Sequence, residues 1–328
     1  MLRLRFAAFA WANVAYNLLV ILWGAFVRAT GSGAGCGDHW PLCDGQVIPR
    51  APSTEMLIEF THRLTSGVAL LGAVALLVWA FRAYGRGHRV RRGALAVMVF
   101  MLLEALLGAG LVLFELVAHN ASVNRAVAMA LHLVNTFLLL GALSLTAWWA
   151  SGGAPVSLRG HGRLPWLLGV GLVGTALVGS SGAVTALGDT LLQHGVLPGG
   201  LDQPLGAANH PLVQMRVIHP IIGTLVGVYT LFLAQAVTAR RPEPMARGFA
   251  WSLVGLFFLQ ILIGGLNVTL KAPVWMQLVH LLMADATWLC LVLLSAVALA
   301  VPEAKTAPAP LPQTGPCLLY TSPSPRDS

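Results

Sequence analysis

Eight apolar segments, each long enough to cross a lipid bilayer as a helix, constrain the fold of this chain more than any other feature of its sequence. A bilayer core of about 30 Å needs roughly 20 helical residues. Charged residues make up only 10% of the 328 residues, whereas a soluble domain carries about a quarter. The sequence therefore predicts an all-α integral membrane protein with lipid as its solvent. The spans are predicted at residues 6–29, 62–83, 94–118, 126–150, 164–187, 212–238, 248–270 and 275–301.

The lysine and arginine residues indicate how these spans are oriented. Fourteen of the 20 fall on one side of the membrane, in the termini and alternate loops, and six fall on the other side. Because cytoplasmic loops carry the excess of positive charge, both termini are predicted to be cytoplasmic. The net charge of +8 does not indicate nucleic-acid binding, because the basic residues lie in short loops and form no continuous basic face.

The two halves of the chain repeat each other. Similar residues recur at offsets of 155 to 157 positions, with one pair at 148. Because each half has four spans, both halves share one orientation, and we expect two four-helix bundles related by a pseudo-twofold axis along the membrane normal. The matched pairs are Gly24 and Gly179, Thr30 and Thr185, Glu104 and Gln260, Gly108 and Gly264, His62 and His219, and His132 and His280.

This repeat predicts how the chain is divided. The first half takes residues 1–150, a cytoplasmic linker takes residues 151–163, and the second half takes residues 164–302. Residues 303–328 are rich in Pro, Ser and Thr and are expected to be a disordered tail. Residues 317–328 resemble translated vector sequence and carry no functional argument.

Four histidines lie at matched depth near the predicted outer face. Ionisable side chains inside a bilayer are costly, so each is a functional hypothesis by default. Two imidazoles on neighbouring helices can supply the axial nitrogens of a haem iron; the alternative is that each imidazole satisfies a helix end or a hydroxyl group. Zinc is less favoured because the chain has few acidic ligands. The four are His62, His132, His219 and His280.

Charged residues distinguish the two histidine pairs. Glu59 stands three residues before His62, and Arg216 stands three residues before His219. A carboxylate beside one pair only favours proton-coupled chemistry in the first half and a redox cofactor in the second; alternatively, Glu59 is a first-turn acid favoured by the helix dipole. Five basic residues at this depth can pair with haem propionates or can snorkel to the interface. They are Arg28, Arg63, Arg125, Arg216 and Lys271.

Two further acids, Glu104 and Asp285, lie inside predicted spans, and the sequence shows no partner for either. A hydrogen bond to a neighbouring helix is the commoner role for such a residue, and proton relay is the alternative.

Cys36 and Cys43 lie in the first outer loop, which is predicted to face an oxidising compartment and to fill residues 30–61. The six residues between them include Gly and Pro and can turn back, so a disulfide is expected. The pair can act as a structural staple or as a redox-active dithiol.

Together with the four histidines, three motifs in the first half resemble the haem A synthase family of the bacterial CtaA type. They are RATGSG at residues 28–33, the loop CGDHWPLC at residues 36–43, and EFTHR at residues 59–63. The resemblance covers residues 1 to about 300 and implies oxidation of the C8 methyl group of haem O to a formyl group, giving haem A for terminal oxidases. Some members carry a second cysteine pair between spans five and six, and residues 187–212 contain none, so thiol exchange is not expected in that half.

The same resemblance implies roles for individual residues. His62 and His132 would ligate the iron of the substrate haem O, His219 and His280 would ligate a haem b, and Glu59 would be the catalytic carboxylate. It also implies the bacterial inner membrane, with haem sites near the outer face. Haem O synthase, a membrane electron acceptor and a second copy of the chain are possible partners.

Two other functions use the same ligands. A di-haem b electron-transfer protein is less favoured, because a transmembrane electron path needs haems at both faces and these histidines lie in one leaflet. A haem transporter or chaperone would need no chemistry, and Glu59, without a counterpart in the second half, favours an enzyme.

Overall fold

The computed structural model describes residues 2–201 and 210–301, which form eight long helices and one short 3-10 helix at Ser32–Ala34. Each long helix is apolar and long enough to cross a membrane, which confirms the prediction of an all-α, multi-pass membrane protein. The predicted tail at residues 303–328 lies outside the described residues. The helices are α1 (Leu2–Ala29), α2 (Thr54–Ala83), α3 (Arg89–Leu113), α4 (Val123–Ala150), α5 (Leu164–Gln193), α6 (Pro211–Arg240), α7 (Pro244–Thr269) and α8 (Val274–Ala298).

Helix α2 begins eight residues earlier than predicted, at Thr54 instead of residue 62. The hydroxyl of Ser53 accepts a hydrogen bond from the backbone N–H of Met56 at 3.2 Å and so caps the first turn. Glu59 and His62 therefore lie one turn apart inside a single helix. The first outer loop is correspondingly shorter than predicted.

Two other helix ends differ from the prediction. Helix α5 continues to Gln193, six residues past the predicted end, and so includes Asp189. Helix α3 ends at Leu113, five residues early. The chain leaves the helical conformation there, because Glu115 and Ala118 adopt positive φ values of 52° and 49°.

The helices of each half pack against one another in order along the chain. Helix α4 also closes on α1, and α8 closes on α5. Helices α1 and α4 of the first half contact α5 and α8 of the second. Across this interface the rings of Phe137 and Trp288 stack at 4.9 Å, and the indole N–H of Trp288 donates to the carbonyl oxygen of Phe137 at 2.5 Å. The pseudo-twofold axis and the cytoplasmic placement of the termini stay predictions.

Apolar side chains cover the outside of the structure, and polar side chains lie within it. Leu106, Leu225 and Leu262 are exposed on helix faces, whereas Asn135 and Thr230 are buried. A water-soluble protein seldom exposes apolar surface on this scale. The outer faces are therefore suited to lipid, and the buried polar groups mark the interior where a site can form.

Candidate functional site

The histidines of the second half face each other across the interior of that half. His219 lies on α6 and His280 on α8, and their ring centroids are 6.3 Å apart, with the ring planes at 88°. The hydroxyl of Ser181 lies 3.0 Å from Nδ1 of His219. A terminal atom of the Gln260 amide lies 3.1 Å from Nδ1 of His280. Both Nδ1 atoms thus contact the protein, which leaves Nε2 of each ring for a ligand.

This spacing fits a bis-histidine haem. Two axial imidazoles on one iron have ring centroids roughly 6 Å apart, because each metal–nitrogen bond is about 2 Å long. Each ring also lies against a glycine of the neighbouring helix. A Cβ added at Gly182 would stand 3.0 Å from Cε1 of His219, and one at Gly264 would stand 3.2 Å from Cε1 of His280. At both positions an added Cβ would crowd the imidazole, so glycine lets the ring lie close to the helix backbone.

In the first half a glycine lies against His62, whereas a Cβ at Gly108, the sequence match of Gly264, would meet nothing within 4 Å. A Cβ at Gly24 of α1 would stand 2.9 Å from Cε1 of His62. Nδ1 of His62 is buried and has no hydrogen-bond partner among the described residues. His132 of α4 is close enough to act on His62 electrostatically. The structure therefore brings His62 and His132 into one environment within the first half.

The glycine contacts correct one detail of the repeat. The sequence match paired Gly24 with Gly179, but a Cβ at Gly179 would meet Phe137 of α4 and not a histidine. The glycine that lies against the second-half histidine is Gly182, three residues later. Gly182 is therefore the structural equivalent of Gly24, because each lies against the histidine of its own half. The sequence match alone did not show this.

Glu104 has the partners that the sequence did not show. Its carboxylate accepts hydrogen bonds from Asn135 Nδ2 and Thr136 Oγ1, both at 2.5 Å, and lies 3.5 Å from Nδ1 of His132. Asp285 is different. It is fully buried in α8, and neither carboxylate oxygen has a hydrogen-bond partner among the residues that the structure describes.

Glu59 is buried and held by two groups. One carboxylate oxygen pairs with the guanidinium of Arg63, whose Nε lies 3.1 Å away. The other oxygen accepts a hydrogen bond from the backbone N–H of Cys36 at 2.8 Å. The i, i+4 spacing of Glu59 and Arg63 allows this pair within one helix. The carboxylate is thus fixed between α2 and the first outer loop.

The same arginine anchors the cysteine loop. Nη1 of Arg63 donates to the carbonyl oxygens of His39 and Leu42, both at 2.6 Å. The sulfur atoms of Cys36 and Cys43, which flank these carbonyls in sequence, lie at bonding distance, 2.02 Å. A Cβ at Gly35 would stand 2.5 Å from the Glu55 backbone, so glycine is required where the loop packs on α2.

The side chain of Arg28, at the end of α1, reaches into the second half. Its guanidinium donates to the carbonyl oxygen of Ala186 and the hydroxyl of Thr190, both at 2.7 Å, and to Gln277 Oε1 at 2.9 Å. These acceptors belong to α5 and α8. Arg28 therefore links the C-terminal end of α1 to α5 and α8, and these donors are already engaged within the protein.

A carboxylate that the sequence analysis missed pairs with Arg216. Nε of Arg216 lies 3.1 Å from Asp189 Oδ1, and both side chains are buried. The sequence analysis expected a carboxylate beside the first histidine pair and a guanidinium beside the second, and it did not find that a carboxylate of α5 lies against this guanidinium. Asp189 stands two residues beyond the predicted end of span five. An extension of that span by one and a half turns would have placed it beside Arg216.

The two other basic candidates lie at the same end of the helices. Nη1 of Arg125 donates to the carbonyl oxygens of Ala118 and Asn120 at 2.6 and 2.9 Å. Nε of Arg125 and Nη1 of Arg216 are buried with no hydrogen-bond partner among the described residues. Lys271 follows α7, and its carbonyl oxygen accepts a hydrogen bond from Gln193 at 3.0 Å.

Comparisons with known proteins agree with this architecture. A family model described as COX15-CtaA, cytochrome oxidase assembly protein, matches residues 7–292. Two relatives named protoheme IX farnesyltransferase, from two strains of Thermus thermophilus, are 52% identical over 295 residues, which is 90% of this chain and 48% of each relative. The chain therefore spans about half the length of these two relatives.

Other relatives carry a different name. A heme A synthase of Alkalihalophilus pseudofirmus is 29% identical over 264 residues, which is 76% of this chain and 82% of that protein. A heme A synthase of Geobacillus kaustophilus is 42% identical over 106 residues, which is 32% of this chain and 33% of that protein.

Proposed function

The chain belongs to the COX15-CtaA family of cytochrome oxidase assembly proteins, and on that premise we propose that it is a haem A synthase, an oxidoreductase that converts the C8 methyl group of haem O into a formyl group. The observation that carries the proposal is the buried, doubly held carboxylate of Glu59, one helical turn from His62. We propose that this fixed negative charge faces the periphery of bound haem O.

Two relatives are named farnesyltransferases, but we do not propose that activity for this chain. The chain covers 48% of their length, whereas it covers 82% of a relative named heme A synthase. Farnesylation of protohaem produces a haem that carries a farnesyl group, as haem O does. We therefore propose that a farnesyltransferase supplies the substrate and is a partner of this chain.

The reaction needs an electron acceptor. Written with water as the oxygen donor, conversion of a methyl group to a formyl group releases four electrons and four protons. We propose that a membrane electron acceptor takes the electrons. We propose that the protons leave toward the outer face and that Glu59 takes part in their transfer.

We propose that the two halves bind different haems and have different roles in the reaction. His62 and His132 bind the iron of the substrate haem O, and His219 and His280 bind a resident haem b. When bound, haem b supplies a one-electron redox centre. Ser181 and Gln260 orient the two imidazoles that hold it, and Gly182 and Gly264 leave the rings the room that they need.

Glu59 acts on the reacting carbon through its charge. Arg63 and the Cys36 N–H hold the carboxylate in place without a side-chain rearrangement. A prepositioned anion stabilises positive charge as it develops on the oxidised methyl carbon, and it accepts the proton that this carbon loses. The Cys36–Cys43 loop, which we propose is a disulfide-bonded staple, excludes water from this carboxylate.

The haem propionates need cationic partners. Arg125 and Arg216 each keep one buried N–H group without a partner in the described residues, and we propose that these two bind propionate, with Lys271 as a further candidate. Arg28 and Arg63 are largely occupied by protein acceptors. Their proposed role is to fix the outer ends of the helices. We propose that both haems lie near the outer face of the bacterial inner membrane.

The test is haem extraction from cells that make haem O and express this chain. We expect haem A, or its hydroxylated precursor, from the wild type, and a loss of at least about a hundredfold from Glu59→Ala, because removing a charge stabiliser costs roughly 2.7–4 kcal/mol. Glu55→Ala is the matched control, since Glu55 is an exposed acid one turn earlier on α2. Absence of both products from the wild type contradicts the synthase function. Normal output from Glu59→Ala contradicts only the role of Glu59.

A further inference from the structure

Glu104 and Gln260 occupy matched positions in the two halves and contact matched histidines. Glu104 lies on α3 beside His132, and Gln260 lies on α7 beside His280. Each side chain approaches Nδ1, the imidazole nitrogen on the far side of the ring from a metal bound at Nε2. The two halves thus differ in the charge of the side chain that lies beside Nδ1 of the proposed iron ligand.

The first half supports a carboxylate at this position. Asn135 and Thr136, three and four residues after His132, donate to separate oxygens of Glu104 at 2.5 Å. Both donors are buried. The oxygen that accepts from Thr136 also lies 3.5 Å from Nδ1 of His132, and this nitrogen makes no hydrogen bond with the described residues.

The second half replaces all three groups. Gln260 is a neutral amide, and the positions three and four residues after His280 are Met283 and Ala284, which have no side-chain hydrogen-bond donor suited to a carboxylate. The amide nitrogen of Gln260 lies 3.1 Å from Nδ1 and 3.1 Å from the carbonyl oxygen of His280, and its oxygen accepts a hydrogen bond from the backbone N–H of Ala284 at 3.3 Å. The difference between the halves is therefore a coordinated change of three residues.

We propose that Glu104 is a positioning residue that makes His132 a more strongly electron-donating iron ligand than His280, so that a haem in the first half has the lower reduction potential. This inference rests on the proposed haem-binding function. A carboxylate charge 3.5 Å from Nδ1 raises the electron density of the imidazole, and a more basic ligand stabilises the oxidised iron.

The test exchanges the two side chains in the full-length chain, reconstituted with haem b and titrated spectroelectrochemically. We expect Glu104→Gln to raise the midpoint potential of the first-half haem and Gln260→Glu to lower that of the second-half haem. His219→Ala keeps only the first-half site and His62→Ala keeps only the second, so each potential can be assigned to its half.

The outcomes separate this inference from the function on which it rests. Unchanged potentials in both exchanged variants, or a shift of the same haem by both, overturn the role of Glu104 and leave haem binding intact. If Glu104→Gln loses its first-half haem, the Gln260→Glu variant still decides the question in the other half. If the wild-type chain binds no haem b, the proposed function and this inference both fail.

Glu104→Ala supplies a second measurement. It removes both the charge and the acceptor, and we expect haem affinity in the first half to fall roughly 10- to 100-fold, as is usual when an outer partner of a metal-binding histidine is lost. Glu104→Gln should restore most of this affinity while keeping the raised potential. If Glu104 only filled space, Glu104→Gln would restore both the haem affinity and the midpoint potential of the wild type, or neither of them.

Discussion

Nε of Arg216 lies 3.1 Å from a carboxylate oxygen of Asp189, and this pair on α6 and α5 gives the second half a counterpart to the pair of Glu59 and Arg63 on α2. The two pairs differ in what else they hold. Glu59 also accepts the backbone N–H of Cys36, so the first-half pair is joined to the outer loop. The asymmetry that favours chemistry in the first half is therefore the connection to that loop, and not the carboxylate alone.

Breaking the second-half pair should destabilise the protein. Asp189→Asn leaves the buried Arg216 guanidinium without its counter-charge, and removing one partner of a buried pair costs about 3–5 kcal/mol. We expect a lower thermal unfolding midpoint in detergent. The double variant Asp189→Asn with Arg216→Gln should be less destabilised than the sum of the two single variants. Simple additivity would show that the two side chains do not interact.

The glycine beside His219 should be required for haem b binding. A Cβ at Gly182 would stand 3.0 Å from the imidazole and would push the ring out of its orientation. We expect at least about tenfold weaker haem b binding for Gly182→Ala, measured by absorbance titration. Gly169→Ala on the same helix is the control, because a Cβ there meets nothing within 4 Å. Equal affinities for the two variants would contradict the steric argument.

Arg63 should control the order of the cysteine loop. Arg63→Gln removes the hydrogen bonds to the carbonyl oxygens of His39 and Leu42. We expect faster amide hydrogen exchange across residues 36–43 and easier proteolysis there. Arg50→Gln, which changes an exposed arginine after the same loop, should leave both rates unchanged. Identical exchange in both variants would mean that other contacts hold the loop.

The buried carboxylate of Asp285 should be dispensable for stability. It is fully buried, and neither oxygen has a hydrogen-bond partner in the described part of the chain. A buried polar group without a partner costs about 1–3 kcal/mol. We expect Asp285→Asn to unfold at the same temperature as the wild type or a higher one. A marked loss of stability, or of bound haem, would instead indicate that Asp285 has a partner when haem is bound.

The sequence predicts the spans and the histidines of this fold well, because both depend on local composition. Apolar runs of bilayer length mark the eight long helices of the described residues, and the one site in each half that the matched histidines indicate stays a prediction. It predicts helix ends less well. The Ser53 cap moves the start of α2 by eight residues, and a longer α5 brings Asp189 to Arg216. Both depend on a single turn at a helix end.

Contacts between helices were the least predictable part of the site. Glu104 and Asp285 look alike in sequence, as single acids inside apolar spans, yet Glu104 has two hydrogen-bond donors and a histidine, whereas Asp285 has no such partner in the described residues. Their surroundings are set by which face of each helix turns inward. That orientation depends on the packing of all the helices, which periodicity in one span does not determine.

The most direct test of the account is the identity of the haems that co-purify with the full-length chain from cells that make haem O. Mass spectrometry of the extracted haems should show haem b together with haem O or its oxidation products. The variant His62→Ala should keep haem b and lose the others, and His219→Ala should show the reverse. Haem b alone in both halves of the wild type would contradict the synthase account and would favour a di-haem electron carrier.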